Sequence, residues 1–128
     1  MKISDLEKNQ TRLKELFKQL FPQSKRINVK AQGNAKIAKA DFLITLNIKG
    51  KENFLICELK SSGSPSHVLP AVMQLKAIEQ EGYPLVIAPY ISQRSAEICR
   101  QNNVGFIDTE GNAFLAFDNI LIDRRVKE

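Results

Sequence analysis

The sequence predicts an α/β fold, a mixed β-sheet flanked by helices in the order α-β-β-β-α-β-α-β-β-β. Three observations carry that reading. Phe42, Ile44, Leu46 and Ile48 alternate with more polar residues, the period of a strand with one buried face. Asn53-Phe54-Leu55-Ile56-Cys57 follows as a continuous apolar run, which reads as a strand buried on both faces. Tyr83 to Ala88 is a further apolar run between two helical patterns, suited to a buried parallel strand.

The elements follow in order. Ser4 can cap a first helix running through Phe21, with Asp5 and Glu7 in its positive first turn and Pro22 just beyond. Leu6, Leu13, Leu16, Phe17 and Leu20 form its apolar stripe. Arg26 to Lys30 reads as an edge strand and Gly33-Asn34 as a turn. Lys25, Arg26, Lys30, Lys36 and Lys39 make this the most basic stretch, suited either to a DNA backbone or to guarding an exposed edge.

Between the next two strands lies Lys49-Gly50-Lys51-Glu52. Gly50-Lys51 fits a two-residue type II′ turn, which wants Gly first, and leaves Lys49 and Glu52 as a cross-strand ion pair. That register sets Asp41 opposite Lys60 and Leu43 opposite Glu58. Ser61 to Ser66 is a polar loop, and Pro70 starts a regular helix within a turn of itself, with Val72, Leu75 and Ile78 inward. Ser92 caps a helix reaching Asn102 or Asn103. Val104–Ile107, Ala113–Phe117 and Ile120–Asp123 are short strands joined by Glu110-Gly111-Asn112 and Asp118-Asn119 turns.

At 128 residues the chain reads as one domain, residues 1–128, with enough apolar content for a single core. Two cysteines, no signal-peptide pattern and no apolar run near eighteen residues predict a soluble cytoplasmic protein with no membrane partner. Cys57 and Cys99 read as core packing, since no zinc spacing is present. Net charge is +5, and residues 1–60 hold thirteen Lys/Arg against six Asp/Glu. A basic half suits a phosphate backbone, although ordinary solvated lysine explains it equally well.

The chemistry concentrates at Glu58-Leu59-Lys60. Alternation places Glu58 and Lys60 on the row of Phe54 and Ile56, where charge costs free energy unless paired or bound to an ion. With Asp41 on the same face, a structural ion network is one reading. A metal site is the other: Mg²⁺ takes oxygen ligands, keeps waters, and is held by one or two carboxylates plus phosphate oxygens. The lone His67 follows the serine loop and reads as a polar helix-start residue, with a general-base role as the alternative. Asp108 and Glu110 read as turn acids rather than a second acidic cluster.

Asp41, Glu58 and Lys60 on neighbouring antiparallel strands, then a helix and a returning strand, resemble the PD-(D/E)xK nuclease superfamily, the restriction-endonuclease-like fold. Ala40 stands where the name-giving proline would be, as in many members. The resemblance carries the crossing helix onto Val68 to Glu81 and the returning strand onto Leu85 to Ala88. It implies a Mg²⁺-dependent (Mn²⁺ possible) endonuclease hydrolysing DNA phosphodiester bonds. Asp41, Glu58 and the Leu59 carbonyl would hold metal, and Lys60 would position the attacking water. Gln74 matches a glutamine that some branches place on the helix. Glu7 matches a first-helix glutamate, lying about 110° from the centre of the stripe, although solvated charge explains it as well. A second likeness, over Ala88–Ser92, Arg94-Ser95 and Gly105–Asn112, is to a group of uncharacterised bacterial proteins of the same fold. Duplex cleavage with one site per subunit would favour a homodimer. The alternative function is a non-catalytic DNA-binding or regulatory interaction module on the same fold.

Overall fold

The computed structural model describes residues 10–31, 41–79 and 81–126. Within them, α1 (Gln10–Leu20), β1 (Arg26–Ala31), β2 (Phe42–Ile48), β3 (Lys51–Leu59), α2 (Pro65–Lys76), β4 (Tyr83–Ala88), α3 (Gln93–Gln101), β5 (Gly105–Asp108), β6 (Ala113–Phe117) and β7 (Ile120–Arg124) follow one another. This is the expected order. The Ser4 cap, Asp5, Glu7, Ala40 and the Gly33-Asn34 turn lie outside the described residues.

The seven strands form one mixed sheet whose spatial order equals their chain order, β1 to β7. The first three are antiparallel, β3, β4 and β5 run parallel, and β6 and β7 return antiparallel. Helix α1 buries Leu13, Phe17 and Leu20 against Phe42, Ile44, Leu46, Leu55, Cys57, Leu85 and Ile87. Val68, Ala71, Val72 and Leu75 of α2, with Ala96 and Cys99 of α3, cover Ile56, Val86 and Phe106 on the other face. Both β-α-β crossovers step in the same direction across the sheet. One handedness therefore puts both helices on one side. Strand β3 receives apolar cover on both faces, as its sequence predicts, except that Phe54 near its start stays 37% exposed.

Three local expectations need correction. The β2–β3 turn is Lys49-Gly50, not Gly50-Lys51, and Ile48 pairs with Lys51 across it. Both turn residues have positive φ, 55° and 80°, the signature of a type I′ turn whose twist matches the strands it joins. Glu52 consequently faces Asn47 rather than Lys49, and Lys51 is released to bond Asp118 at 2.9 Å. The register moves by two residues, so side-chain alternation along the ladder is preserved: Leu43 pairs with Ile56 instead of Glu58, and the ladder ends at Phe42 opposite Cys57.

Helix α2 begins at Pro65 and stops at Lys76, three residues earlier at the start and five at the end than Val68–Glu81. Pro65 occupies the first turn, where its missing N–H costs nothing. Pro70 lies inside the helix, on its exposed side, so the carbonyl it leaves without a helix bond can meet water. Smaller differences are one-residue shifts: β5 spans Gly105–Asp108 and β7 ends at Arg124.

Candidate active site

The site forms where β3 ends. Glu58 pairs in register with Val86 of parallel β4 and is 4% exposed. Strand alternation turns it toward the α2 side, where Ile56 and Val86 pack. Lys60 continues the strand for one more bond, its N–H donating to the Ile87 carbonyl at 2.8 Å. Its ammonium reaches the Glu58 Oε2 at 3.6 Å. That distance is longer than a charge-assisted hydrogen bond, and the Lys60 side chain keeps 29% exposure. The pair is loose.

Asp41 departs from the β2 ladder. Its N–H donates to the Cys57 carbonyl at 3.0 Å, and its Oδ2 accepts the Leu59 N–H at 2.8 Å. A carboxylate thus serves as acceptor for a strand amide, which fixes Asp41 across from the Glu58-Leu59-Lys60 segment. The electrostatics register this proximity. Burial, together with the Asp41 charge, raises the Glu58 carboxyl from 4.5 to about 7, and Lys60 only partly opposes that rise. Burial first, then Asp41 and Glu58, also push the Cys57 thiol well above its ordinary value. Two acids therefore face one incompletely engaged ammonium.

Gln74 is half-buried on α2, beside the Ala71–Leu75 stretch that packs over the sheet. Glu7 lies outside the described residues. His67 is exposed in the first turn of α2, its Nδ1 at 3.1 Å from the Ser64 hydroxyl and 3.3 Å from that of Ser66. It is a polar helix-start residue here.

Asp108 is 1% exposed and accepts the N–H groups of Ile91, Glu110 and Asn112 and the Asn112 side-chain amide, all within 3.0 Å. It is a turn acid that ties two loops together, the one after β4 and the one after β5. Cys99 is buried, and burial pushes its thiol up to about 12, which suits core packing.

Sequence reasoning missed one pairing at this end of the sheet. Tyr90, in the loop after β4, lies under the Arg125 guanidinium, 35 residues away. No local signal connects positions so far apart; only an aromatic directly after a parallel strand hinted at it.

A cleft of about 600 Å³ opens at the opposite end of the β2–β3 hairpin, between Lys49, Lys51, Asn53 and Asp118. The acids lie elsewhere, at the end of β3, with Asp41 exposed and Glu58 buried. Among the described residues, no group of three or more His, Cys, Asp or Glu side chains gathers, so a cation here would draw on two carboxylates and backbone oxygen. No described helix is long and apolar enough to cross a membrane. The chain matches no protein-family model, no curated protein and no solved structure.

Proposed function

We propose that this protein is a Mg²⁺-dependent nuclease of the PD-(D/E)xK, restriction-endonuclease-like kind, hydrolysing phosphodiester bonds in DNA. One observation carries the reading: Asp41, Glu58 and Lys60 meet at the end of β3 with more acid than base, and Glu58 is buried yet poorly neutralised. Lys60 lies 3.6 Å from Glu58, so one ammonium faces two carboxylates.

The donor set suits a hard cation. Asp41 and Glu58 provide carboxylate oxygens. In an extended strand the N–H and C=O of one residue point to the same neighbour, so the Leu59 carbonyl faces the side on which its N–H meets Asp41. Two carboxylates and a carbonyl leave room for waters and substrate phosphate oxygens, the coordination Mg²⁺ prefers. Once bound, the ion would polarise the phosphate and acidify a coordinated water.

The chain's own residues supply the rest. Burial, with the Asp41 charge, raises the Glu58 carboxyl to about 7, so it is about half ionised near neutrality and fully negative only well above it. Asp41, held by the Leu59 amide, stays in place without reorganising when substrate arrives. The partly exposed Lys60 ammonium can orient a water by hydrogen bonding and offset charge growing on the phosphate oxygens. The exposed Asp41 and partly exposed Lys60 at the sheet end also suit a polymer whose backbone lies across the site. The net charge of +5 favours that polymer being a polyanion.

The test is hydrolysis itself. Plasmid and linear DNA incubated with Mg²⁺ should be cut by the wild type and left intact by Asp41→Asn and by Glu58→Gln. Equal products from wild type and both variants would place the activity in a contaminant and remove the reading.

A further inference from the structure

Beside the acids lies a second feature of different chemistry. The loop after Lys60 and the loop after β4 are joined: Gly63 pairs with Ile91 in a parallel bridge, and the Ser92 N–H donates to the Gly63 carbonyl at 3.3 Å. Gly63 is needed for that contact, because a Cβ there would lie 1.7 Å from the Tyr90 carbonyl oxygen. Leu59 pairs with Ile87, which sets Lys60 level with Ala88, and Tyr90 follows two residues later, about 7 Å further along the same end of the sheet.

Tyr90 is 42% exposed although it is a large aromatic. It is also rigidly mounted. Asp108 accepts the Ile91 N–H at 2.9 Å, and the Thr109 hydroxyl donates to the Pro89 carbonyl at 2.9 Å. Arg125 lies over the ring at 5.7 Å from its centre, with one guanidinium nitrogen donating to the Ile91 carbonyl at 3.1 Å and another reaching the Tyr90 hydroxyl at 3.4 Å. These bonds leave further guanidinium N–H groups for an anion, since arginine carries five. An exposed aromatic plane, a planar cation and a backbone-anchored loop together make a surface that binds at low entropic cost.

We infer that Tyr90 and Arg125 form a stacking platform for an unstacked nucleobase of the nucleic acid at the site, and that the preferred substrate is DNA with unpaired nucleotides beside the scissile bond. The inference rests on the nuclease reading for its substrate. A base inside a continuous duplex is already stacked on its neighbours and has no free face for Tyr90. A base in a gap, a flap or a single strand has one. Every base has such a face, so the preference is for strand structure rather than for sequence. Arg125 can contact the adjoining phosphate while Tyr90 takes the base.

The experiment measures binding apart from cleavage. In EDTA and low salt, fluorescence anisotropy compares single-stranded, gapped and continuous duplex DNA of one sequence, with wild type, Tyr90→Ala and Tyr90→Phe. A parallel set carries 2-aminopurine at the unpaired position. The expected result is tighter binding of single-stranded and gapped DNA by wild type and by Tyr90→Phe. Tyr90→Ala should lose about tenfold on those two and nothing on the duplex. The 2-aminopurine emission should be quenched by wild type only slightly less than by free stacking, and left unquenched by Tyr90→Ala.

Wild type that binds no DNA, equal affinities of wild type and Tyr90→Ala on every DNA, or an equal loss on all three would overturn the platform. Adding Mg²⁺ then reads the two ideas separately. Quenching without cleavage would remove the nuclease and keep the platform. Cleavage with no difference between wild type and Tyr90→Ala would do the reverse.

Discussion

The Asp41 carboxylate accepts the Leu59 backbone N–H at 2.8 Å, and this bond ties the acid preceding β2 to the strand that bears Glu58 and Lys60. Burial first, and then the Asp41 charge held there, raises the Glu58 carboxyl to about 7.

Asp41→Asn retains an oxygen that can accept the Leu59 N–H but removes the charge. The Glu58 carboxyl should then fall from about 7 toward its ordinary 4.5, with burial alone holding it up. NMR titration of the Glu58 side-chain carbon reads this directly. An unshifted titration would mean that Asp41 does not act on Glu58.

Without metal, stability should decline as pH rises. Glu58 binds its proton more tightly in the folded chain than in the unfolded one, so its contribution is fully present below 4.5 and is lost as pH passes through about 7. The loss is on the order of 3 kcal/mol, at about 1.4 kcal/mol for each pKa unit. Urea unfolding in EDTA at several pH values should show a slope for wild type over that window that Glu58→Gln lacks. Identical slopes would contradict the assignment.

Metal binding must displace that same proton. Mg²⁺ affinity should therefore rise up to about tenfold per pH unit below 7 and level off above it. Metal at a hundred times its dissociation constant should stabilise the fold by about 2.7 kcal/mol. Calorimetric titration at pH 6 and pH 8 checks the first, and melting curves the second. Asp41→Asn and Glu58→Gln should each lose most of the stabilisation; equal metal stabilisation in all three proteins would put the cation elsewhere.

Asp108 should prove structural. Asp108→Ala strands three backbone N–H groups in buried or half-buried loops, and each buried donor left unsatisfied costs about 1–3 kcal/mol. Chemical denaturation measures the loss, and a change below about 1 kcal/mol would show that water replaces the carboxylate.

Much of this arrangement was legible in the residues, for identifiable reasons. Strand alternation in Phe42–Ile48 and the apolar run around Leu55 specify which face each side chain takes, and alternation survives any shift of two residues. Asp41, Glu58 and Lys60 therefore came out as neighbours even though the turn was misplaced. The turn itself was misread because Gly50 satisfies the first position of a type II′ turn and the second of a type I′ turn equally well. What decides is strand twist and the Lys51–Asp118 bond, neither visible locally. The early start of α2 was hidden by Pro70, which reads as a boundary but is tolerated one turn inside. The Tyr90–Arg125 contact depends on how the end of β7 crosses the sheet end, and no period in the sequence encodes that.

The most direct measurement is single-turnover cleavage of linear, branched and single-stranded DNA with Mg²⁺, comparing wild type with Lys60→Ala alongside their DNA affinities. Lys60→Ala keeps both acids, so DNA binding should survive while cleavage slows by about 10²–10³. Cutting by wild type with that loss in the variant is the predicted result. Equal DNA binding by both proteins, with no cleavage of any substrate by wild type under any divalent metal, would contradict the account and leave a non-catalytic DNA-binding module in its place.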